Sequence, residues 1–428
     1  EDNAFANLVS ESLTYSLFVA HLFHSMEGNK GSLTLSSAID YIPKQIPVLG
    51  DLYRLTKQAV TKIPELSDVI DSILDTFSYT SFDKINSSLK DGKEDPILYF
   101  YEEFLREYDI ETKRKRGVYY TPKPVVDFIV RSVDDVLVNI LGTEDGLIDK
   151  RVKLLDPAIG TGTFLHSAIE HIHAKITRQF GGIGLEEEQF EYVVREHILN
   201  NFFGFEFMLA PYTVSHLKLA FLLKRDGIEL AEDERFKVFL ANTLDNPEEE
   251  PVDLLGFESI TTESHQANKV KKDKNILAVI GNPPYSNYSE NKNDYITSLL
   301  ENYKKDLNEK KINLDDDYIK FIRFSENILS TSNENVFGMI TNNSFLDGVT
   351  HRVMRKHLLK SFDKLYVLNL HGSNKRGETD KNIFDITLGV CILIFVKTSD
   401  KEAEKELFYF SSLENELLTR ESKFNYLE

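Results

Sequence analysis

Short apolar runs alternate with amphipathic stretches over the last three quarters of the chain. The runs are rich in branched residues, which is typical of buried strands in an α/β sheet. The stretches 125–130 and 317–329 instead place apolar residues at helical spacing. This alternation predicts an α/β fold, with the last runs as candidates to close the sheet in antiparallel order. The predicted strands are 276–280, one ending at Asp156, 201–207, 236–240, 336–341, 364–370 and 388–396.

The first part of the chain has a different pattern, with apolar residues only at helical spacing. Leu13, Leu17 and Phe18 form one stripe, and a second lies within 66–77. Another helix is predicted from Asp95 onward, because proline in the first turn after an acidic cap favours helix initiation. We therefore predict an all-α domain at 1–110 and an α/β domain at 111–428.

Composition narrows the class of protein. A length of 428 residues suggests about two to three domains. The single cysteine, Cys391, lies in an apolar run, which fits a reducing cytoplasm. No leader and no apolar run of about 20 residues is present, so a membrane partner is not expected. Because the chain begins at Glu1 rather than at a methionine, we expect it to be either a processed chain or an excised fragment.

Net charge gives a mixed indication about nucleic acid. The formal charge is −19, whereas phosphate binding is driven by Lys and Arg. Basic residues nevertheless cluster locally, so a polyanionic partner stays open. No metal site is predicted, because the neighbouring His21 and His24 are more simply explained as surface or core residues. The basic clusters are 113–116, 271–274, 304–305 and 352–356.

A glycine-rich turn follows the strand that ends at Asp156, within LLDPAIGTGTFL (154–165). Gly160 and Gly162 permit a tight turn, which we expect to leave backbone amides free at a helix starting near Phe164. The spacing is not GxGxxG and includes no Walker lysine, which argues against a dinucleotide or a nucleotide phosphate. A strand-end acid beside such a turn suits a small zwitterion, such as the methionine half of S-adenosylmethionine.

Two further strand ends carry polar candidates. Glu206 lies near the carboxyl end of the strand 201–207, where a carboxylate can accept both hydroxyls of a ribose. The alternative is a hydrogen-bonded structural acid, which is rarer because burying a carboxylate is costly. Asn242 follows the strand 236–240, at a point where an adenine edge could be read.

The sequence Asn282-Pro283-Pro284-Tyr285 follows the strand 276–280. The two prolines hold the backbone extended, so the Asn282 side chain, the Pro283 carbonyl and the Tyr285 ring can face one point. Two acceptors and an aromatic face suit a planar group that bears an amine, such as adenine. The alternative is a rigid loop without chemistry, since short motifs also occur by chance.

The segments around these motifs are assigned no chemistry of their own. Thr121 is predicted to cap the helix that includes 125–130. The segment 245–274 is predicted to be a polar surface loop. The segment 286–317 has no clear period and is expected to be a lid or a disordered stretch.

Together these pieces resemble the γ class of S-adenosylmethionine-dependent amino-methyltransferases of DNA. The motifs YYTP, DPAIGTGTF, FGFEF, NPPY and NIF occur in that family's order. Over about residues 95–428, the chain is also similar to the methyltransferase part of Type ISP restriction-modification enzymes. The segments that carry this likeness are DPILYFYEEFLREYD, KRGVYYTPKPVVDFIVRSVD, LAPYTVSHLKLAF, DDYIKFIRFSENIL and NIFDITLGV.

The resemblance implies a Rossmann-like class I methyltransferase fold with a mixed seven-stranded sheet, preceded by a helical coupler-like domain at 1–110. It implies S-adenosylmethionine as cofactor and duplex DNA as partner. A helicase-nuclease is expected upstream and a target-recognition domain downstream, the latter absent from 111–428.

The resemblance also assigns roles to single residues. Asn282, Pro283, Pro284 and Tyr285 would hold the target adenine, with Phe384 packed on its other face. Asn242 departs from the acidic residue often found at its position, which puts the reading of the cofactor's adenine there in doubt. The residues implied in cofactor binding are Tyr119, Thr121, Pro122, Asp156, Ala158, Gly160, Thr161, Gly162, Phe164, Glu206 and Asn242.

These observations favour methyl transfer to N6 of a flipped adenine. One alternative is methylation of a protein glutamine or an RNA guanine amine, since NPPY also serves such planar amines. Another is a non-catalytic, cofactor-binding scaffold that couples a helicase-nuclease to a DNA reader. The intact NPPY and DPAIGTG motifs favour chemistry over the scaffold.

Overall fold

A computed structural model describes residues 2–26, 33–79, 121–251, 258–285, 291–305, 307–309, 314–373 and 380–428. Within them, eight strands form one sheet in the order β3-β2-β1-β4-β5-β7-β6-β8. The strands are β1 (Lys153–Asp156), β2 (Phe202–Glu206), β3 (Lys237–Leu240), β4 (Ile276–Gly281), β5 (Asn335–Asn342), β6 (Lys364–His371), β7 (Val390–Lys397) and β8 (Glu406–Ser411).

The sheet is mixed, as predicted. Strands β3, β2, β1, β4 and β5 pair in parallel, and β7 lies antiparallel between β5 and β6. The carboxyl ends of the parallel strands and the start of β7 therefore meet at one edge, called here the carboxyl edge. The strand count is the difference from the prediction, because β8 pairs with β6 as an eighth strand.

Helices cover the sheet and join its strands. Gly338 shows how closely they pack, since a Cβ atom there would lie 2.7 Å from Val133 of α4. The helices are α1 (Asp2–Met26), α2 (Pro47–Lys62), α3 (Pro64–Ser78), α4 (Lys123–Asn139), α5 (Thr163–Phe180), α6 (Glu186–Val193), α7 (Leu209–Arg225), α8 (Glu258–Lys271), α9 (Asp294–Lys304), α10 (Asp317–Leu329), α11 (Arg352–Ser361) and α12 (Arg420–Leu427), with shorter turns between them.

The interpretation of 245–274 as a surface loop is wrong, because α8 occupies much of it. Two charged residues form part of the buried face of α8. The Glu263 carboxylate accepts from Arg235 at 2.6 Å, and Lys271 donates to the Asn242 carbonyl at 2.7 Å. Apolar periodicity does not predict such a helix, because charged residues form part of its buried face.

The segment 286–317 also contains a helix that the sequence analysis did not predict. In α9, Ile296, Leu300 and Tyr303 are buried at helical spacing. The frequent charged residues around them hide this short stripe. The other predicted helix in this region, α10, begins at Asp317 as expected.

The three N-terminal helices confirm helical structure before residue 80. Leu17, Phe18 and Phe77 are buried, and the rings of Phe18 and Phe77 meet edge to face at 5.8 Å. His21 and His24 are buried as well. The predicted boundary at 110 and the helix from Asp95 lie outside the described residues. Among the described helices, none is long and apolar enough to cross a bilayer.

Candidate active site

Two adjacent parallel strands bring the predicted motifs together. Leu155 of β1 lies opposite Val279 of β4, so Asp156 and Gly281 end neighbouring strands. A Cβ atom on Gly281 would lie 2.8 Å from Oδ1 of Asp156, closer than a side chain permits. Glycine at this position therefore lets the carboxyl group of one motif lie against the backbone of the other.

The turn after β1 has the backbone that its glycines predict. Gly160 and Gly162 have φ angles of 56° and 81°, which glycine adopts without strain. The expectation that the turn's amides stay free is wrong for both glycines. Gly160 donates to Oε2 of Glu206 at 3.0 Å, and Gly162 donates to the Ile159 carbonyl at 2.9 Å. Both amides therefore have acceptors within the protein, and these two hydrogen bonds stabilise the conformation of the turn.

Asp156 is fully buried at the end of β1. Its Oδ1 accepts from the Ala158 amide at 3.0 Å, while Oδ2 has no hydrogen-bond partner among the described residues. Burial, aided by the nearby Glu206 carboxylate, raises the pKa of Asp156 to about 8. A buried oxygen without a partner is unusual. A cationic donor such as the ammonium group of an amino acid would satisfy it, so this residue fits the methionine end of the cofactor.

Glu206 lies beside the same turn. Its Oε2 accepts from Gly160, and its Oε1 accepts from the Met208 amide at 2.8 Å. Each carboxylate oxygen can accept more than one hydrogen bond, so contact with two ribose hydroxyls stays compatible with this geometry. The next residue, Phe207, is 67% exposed. The sequence analysis did not single out Phe207, because it lies within the predicted strand 201–207.

Asn282 is held between two hydroxyl groups. Its Nδ2 donates to Thr121 Oγ1 at 2.9 Å, and its Oδ1 accepts from the Tyr285 hydroxyl at 2.6 Å. The amide oxygen is thereby turned toward Tyr285. The prediction that Thr121 caps the following helix is wrong: the cap position is Pro122, with no side-chain cap. The threonine hydroxyl instead orients the asparagine.

Aromatic rings surround the NPPY segment. Tyr285 is 7% exposed, and Tyr318 meets it edge to face at 6.5 Å. Phe345 lies next to Tyr318, also at 6.5 Å. Pro283 is buried and Pro284 is half-buried. The extended segment therefore runs from the sheet into an aromatic environment.

Phe384 is buried in the loop that joins β6 to β7. Because β7 starts at the carboxyl edge, this loop lies at the same edge of the sheet as NPPY. The Phe384 amide donates to Oδ1 of Asn382 at 3.0 Å. The predicted contact of Phe384 with a target base stays a prediction.

Asn242 is already engaged at both ends of its side-chain amide. Its oxygen accepts from the Leu244 amide at 3.1 Å, and its nitrogen donates to Asp245 at 2.9 Å and to Asn291 at 3.1 Å. Asn291 in turn donates to Asp317 at 3.3 Å. The loop after β3 is thus connected to α10, whose Tyr318 contacts the NPPY segment.

The other predicted cofactor residues divide into two groups. Ala158 and Thr161 are partly exposed in the turn after β1, where a ligand could reach them. Phe164 is 3% exposed, and its side chain belongs to the core. Tyr119 lies outside the described residues.

The sheet order and the acidic residues at the ends of β1 and β2 define the class I methyltransferase fold, and the predicted class is confirmed. Residues 93–427 match the model of the N-6 DNA Methylase family. The chain belongs to this family of adenine DNA methyltransferases, whose cofactor is S-adenosylmethionine.

Individual relatives agree with this assignment. The Type II methyltransferase M.BstVI of Geobacillus stearothermophilus is 24% identical over 258 residues, which cover 60% of this chain and 39% of the relative. The ATP-dependent Type ISP restriction-modification enzyme LlaBIII, bound to DNA, has a TM-score of 0.75 at 26% identity, covering 100% of this chain and 28% of that one.

A nuclease-deletion mutant of the Type ISP enzyme LlaGI shares the fold, with a TM-score of 0.72 at 22% identity over 100% of this chain and 38% of that one. The predicted likeness to Type ISP enzymes is confirmed. The chain spans less than half the length of each of these relatives.

Proposed function

We propose that the chain transfers the methyl group of S-adenosylmethionine to N6 of an adenine rotated out of duplex DNA, as the modification module of a longer restriction-modification enzyme. The adjacency of Asp156 and Gly281 carries the proposal. In this arrangement, an acid suited to a cationic cofactor lies next to the start of NPPY. The methyl donor and the amine that accepts the methyl group can therefore meet at one edge of the sheet.

The chain's own residues would hold the cofactor from two sides. Asp156 Oδ2 would accept from the cofactor's ammonium group, and Glu206 from its ribose hydroxyls. Phe207, exposed beside Glu206, offers an apolar face for the cofactor's adenine ring. The bound cofactor supplies an electrophilic methyl group on a sulfonium. Positioning and electrostatics then provide most of the rate acceleration.

NPPY would hold the acceptor. Oδ1 of Asn282 and the Pro283 carbonyl would accept from the two hydrogens of the N6 amine, which favours a more tetrahedral and nucleophilic nitrogen. A base would have to displace the Tyr285 hydroxyl from Asn282, and the freed tyrosine ring would stack on the base. Methyl transfer to the nitrogen held by Asn282 and Pro283 would form an N–C bond in place of the C–S bond, and the amine would lose one proton to water.

Among the described residues, the predicted basic clusters offer limited support for DNA binding by this chain alone, and the cluster 113–116 lies outside those residues. Lys271 is buried, Arg355 donates to the Phe345 and Gly348 carbonyls, and Arg352 pairs with Glu309. With a formal charge of −19, phosphate contacts are weakly favoured. We propose that high affinity for DNA needs other parts of a longer protein, such as a target-recognition domain.

Tyr285 provides the experiment that tests the proposal. Tyr285→Ala should reduce methyl transfer by about 10- to 100-fold, because it removes the ring that stacks on the base and such stacking is worth about 1–3 kcal/mol per base. Tyr285→Phe keeps the ring and should stay within about threefold of the wild type. Rates are measured with labelled S-adenosylmethionine and unmethylated plasmid DNA, and cofactor affinity by calorimetry. Full activity of Tyr285→Ala would remove NPPY from the mechanism.

A further inference from the structure

A fully buried ion pair fixes the loop that carries Phe384. Lys423 of α12 and Asp380 both have side chains with 0% exposure, and Lys423 Nζ donates to Asp380 Oδ1 at 2.6 Å. The same ammonium donates to the Lys381 carbonyl at 2.6 Å. The other oxygen of Asp380 accepts from the Gly372 amide at 2.5 Å. One ion pair thus connects α12, the segment 380–388 that includes Phe384, and the residue that follows β6.

A second cation from α12 reaches further along this loop. Arg420 Nε donates to the Asn382 carbonyl at 3.1 Å, and its Nη2 donates to Asp385 at 2.6 Å. In the backbone, the Lys381 amide donates to the Leu418 carbonyl at 2.8 Å. The helix and the residues before it therefore contact the loop on both sides of Phe384.

Asn382 holds the opposite side of the loop. Its Nδ2 donates to the Gly372 carbonyl at 3.1 Å and to the Leu388 carbonyl at 2.6 Å. Its backbone approaches Gly372 so closely that a Cβ there would lie 2.5 Å from the Asn382 Cα. The loop is thus fixed to the strands by Asn382 and to α12 by Lys423 and Arg420.

Helix α12 is itself fixed to the body of the domain. Arg131 of α4 donates to the Leu427 carbonyl at 2.6 Å, and Leu427 is buried. The rings of Phe410 and Tyr426 stack at 4.6 Å. A buried charge pair is costly to form, and apolar residues of similar volume in its place often give equal or higher stability. Its position beside the loop calls for an explanation other than stability.

We propose that Lys423 and Arg420 are positioning residues, which hold the 380–388 loop so that Phe384 packs against the target base. This inference rests on the proposed function, since it assumes that Phe384 contacts the base. Neither cation lies near Asp156 or Glu206 in the sheet order, because β6 and β7 are separated from β1 by β4 and β5. Loss of either cation should therefore weaken binding of the target base and leave cofactor binding unchanged.

Arg420→Ala is the first test, because the Arg420 side chain is 44% exposed and its removal should leave the fold intact. We expect kcat/KM for unmethylated plasmid DNA to fall at least tenfold, with cofactor affinity within twofold of the wild type. Lys405→Ala is the matched control: this lysine is 46% exposed and pairs with Asp363, which lies before β6, at the opposite edge. The control should keep wild-type kinetics.

The buried pair needs a variant that leaves no unpaired charge. Asp380→Asn combined with Lys423→Met removes both charges, and it should show the same loss of kcat/KM with normal cofactor affinity. Once the modified adenine is mapped in the wild-type product, a fluorescent adenine analogue at that position reports how the base is held. Both variants should reduce the change in the analogue's fluorescence that binding to the wild-type protein produces.

Three results would overturn the inference. Wild-type kcat/KM in Arg420→Ala and in the double variant would show that the loop needs no support from α12. A parallel loss of cofactor affinity and activity would indicate general destabilisation. If the variants and the wild type gave the same fluorescence change, the position of the loop would have no effect on how the base is bound. Failure of the proposed function itself looks different, because the wild-type protein would then methylate no adenine.

Discussion

At the scale of single residues, Asp156 gives the sharpest expectation. Its pKa of about 8 means that the folded, cofactor-free protein holds a proton that the unfolded chain releases near pH 4. The stability from this proton is fully present below the unfolded pKa and is lost as pH rises through the folded pKa. Binding of an ammonium group requires the charged carboxylate, so cofactor affinity should rise with pH over the same range.

The first prediction follows from this linkage. Cofactor affinity should increase from about pH 5.5 to 7.5 by up to about tenfold per unit, and Asp156→Asn should lose both the slope and most of the affinity. Relative to the wild type, the cofactor-free variant should gain stability as pH rises from about 4 to 8, by about 1.4 kcal/mol per pH unit, and the difference between the two should be constant below about pH 4. Calorimetry and chemical denaturation measure these effects.

Asp149→Asn should show neither effect, because hydrogen bonding to Arg151 lowers the pKa of Asp149 out of this range. A flat pH profile of cofactor affinity in the wild type would exclude Asp156 as the ammonium's partner.

Sequence analysis predicted the residue types of the site better than their contacts. The sequence analysis identified Asp156, Glu206 and Asn282 because each lies at or near the end of a predicted strand or begins a motif. The bond between Thr121 and Asn282 was not predicted, because it joins two motifs that are far apart in the chain. Local patterns predict caps and turns, and they do not show which distant side chain is nearest.

At the scale of elements, one buried carboxylate joins three helices near NPPY. Glu326 of α10 accepts from Tyr303 of α9 at 2.8 Å and from His357 of α11 at 2.6 Å. Arg323 donates to it at 3.0 Å, and Ser361 also donates. Burial acts to raise the pKa of Glu326, but the hydrogen bonds from His357 and Ser361 outweigh it, so the pKa is lowered. Glu326 is therefore charged at neutral pH.

Glu326→Ala should lower the free energy of unfolding by about 3–5 kcal/mol, because it leaves buried donors and a cation without their acceptor. Chemical denaturation measures the loss. Lys304→Ala is the control, since the Lys304–Asp315 pair spans 3.4 Å with Asp315 58% exposed, and it should cost less than about 1 kcal/mol. Equal stability of the two variants would show that the three helices are held by apolar contacts alone.

The elements that the sequence analysis missed share a physical cause. Helix α8 buries Glu263 and Lys271 beside Ala267 and Val270, so charged residues interrupt the apolar stripe on its inward face. Strand β8 lies at the sheet edge with Leu407, Phe408 and Tyr409 all exposed, so it lacks the alternation of a half-buried strand. By contrast, β4 and β7 are buried along nearly their whole length, which is why continuous apolar runs predicted them.

At the scale of the whole molecule, the N-terminal helices pack directly on the methyltransferase fold. The ring of Phe23 in α1 stacks on Phe221 of α7 at 5.7 Å. Asp51 of α2 accepts from the Ser259 amide of α8 at 3.1 Å. The two helices that receive these contacts come directly before and after β3 in the chain, so the N-terminal helices lie against the β3 end of the sheet.

Phe23→Ala should therefore destabilise the protein by about 1–2 kcal/mol, because it removes a half-buried ring pair. Thermal unfolding checks this value. Lys44→Ala is the control: Lys44 and Glu232 are 68% and 77% exposed, and such pairs contribute less than about 1 kcal/mol. Wild-type stability of Phe23→Ala would show that the ring contact contributes nothing to this interface.

The central claim is that two neighbouring strand ends bring a donor methyl group to an exocyclic amine of DNA. Its most direct measurement uses labelled S-adenosylmethionine, unmethylated duplex DNA and the protein in its full natural length, followed by identification of the modified base. The account predicts label on N6 of adenine, and no label with Asn282→Ala despite normal cofactor binding. Label on another base, or undiminished labelling by Asn282→Ala, would contradict it.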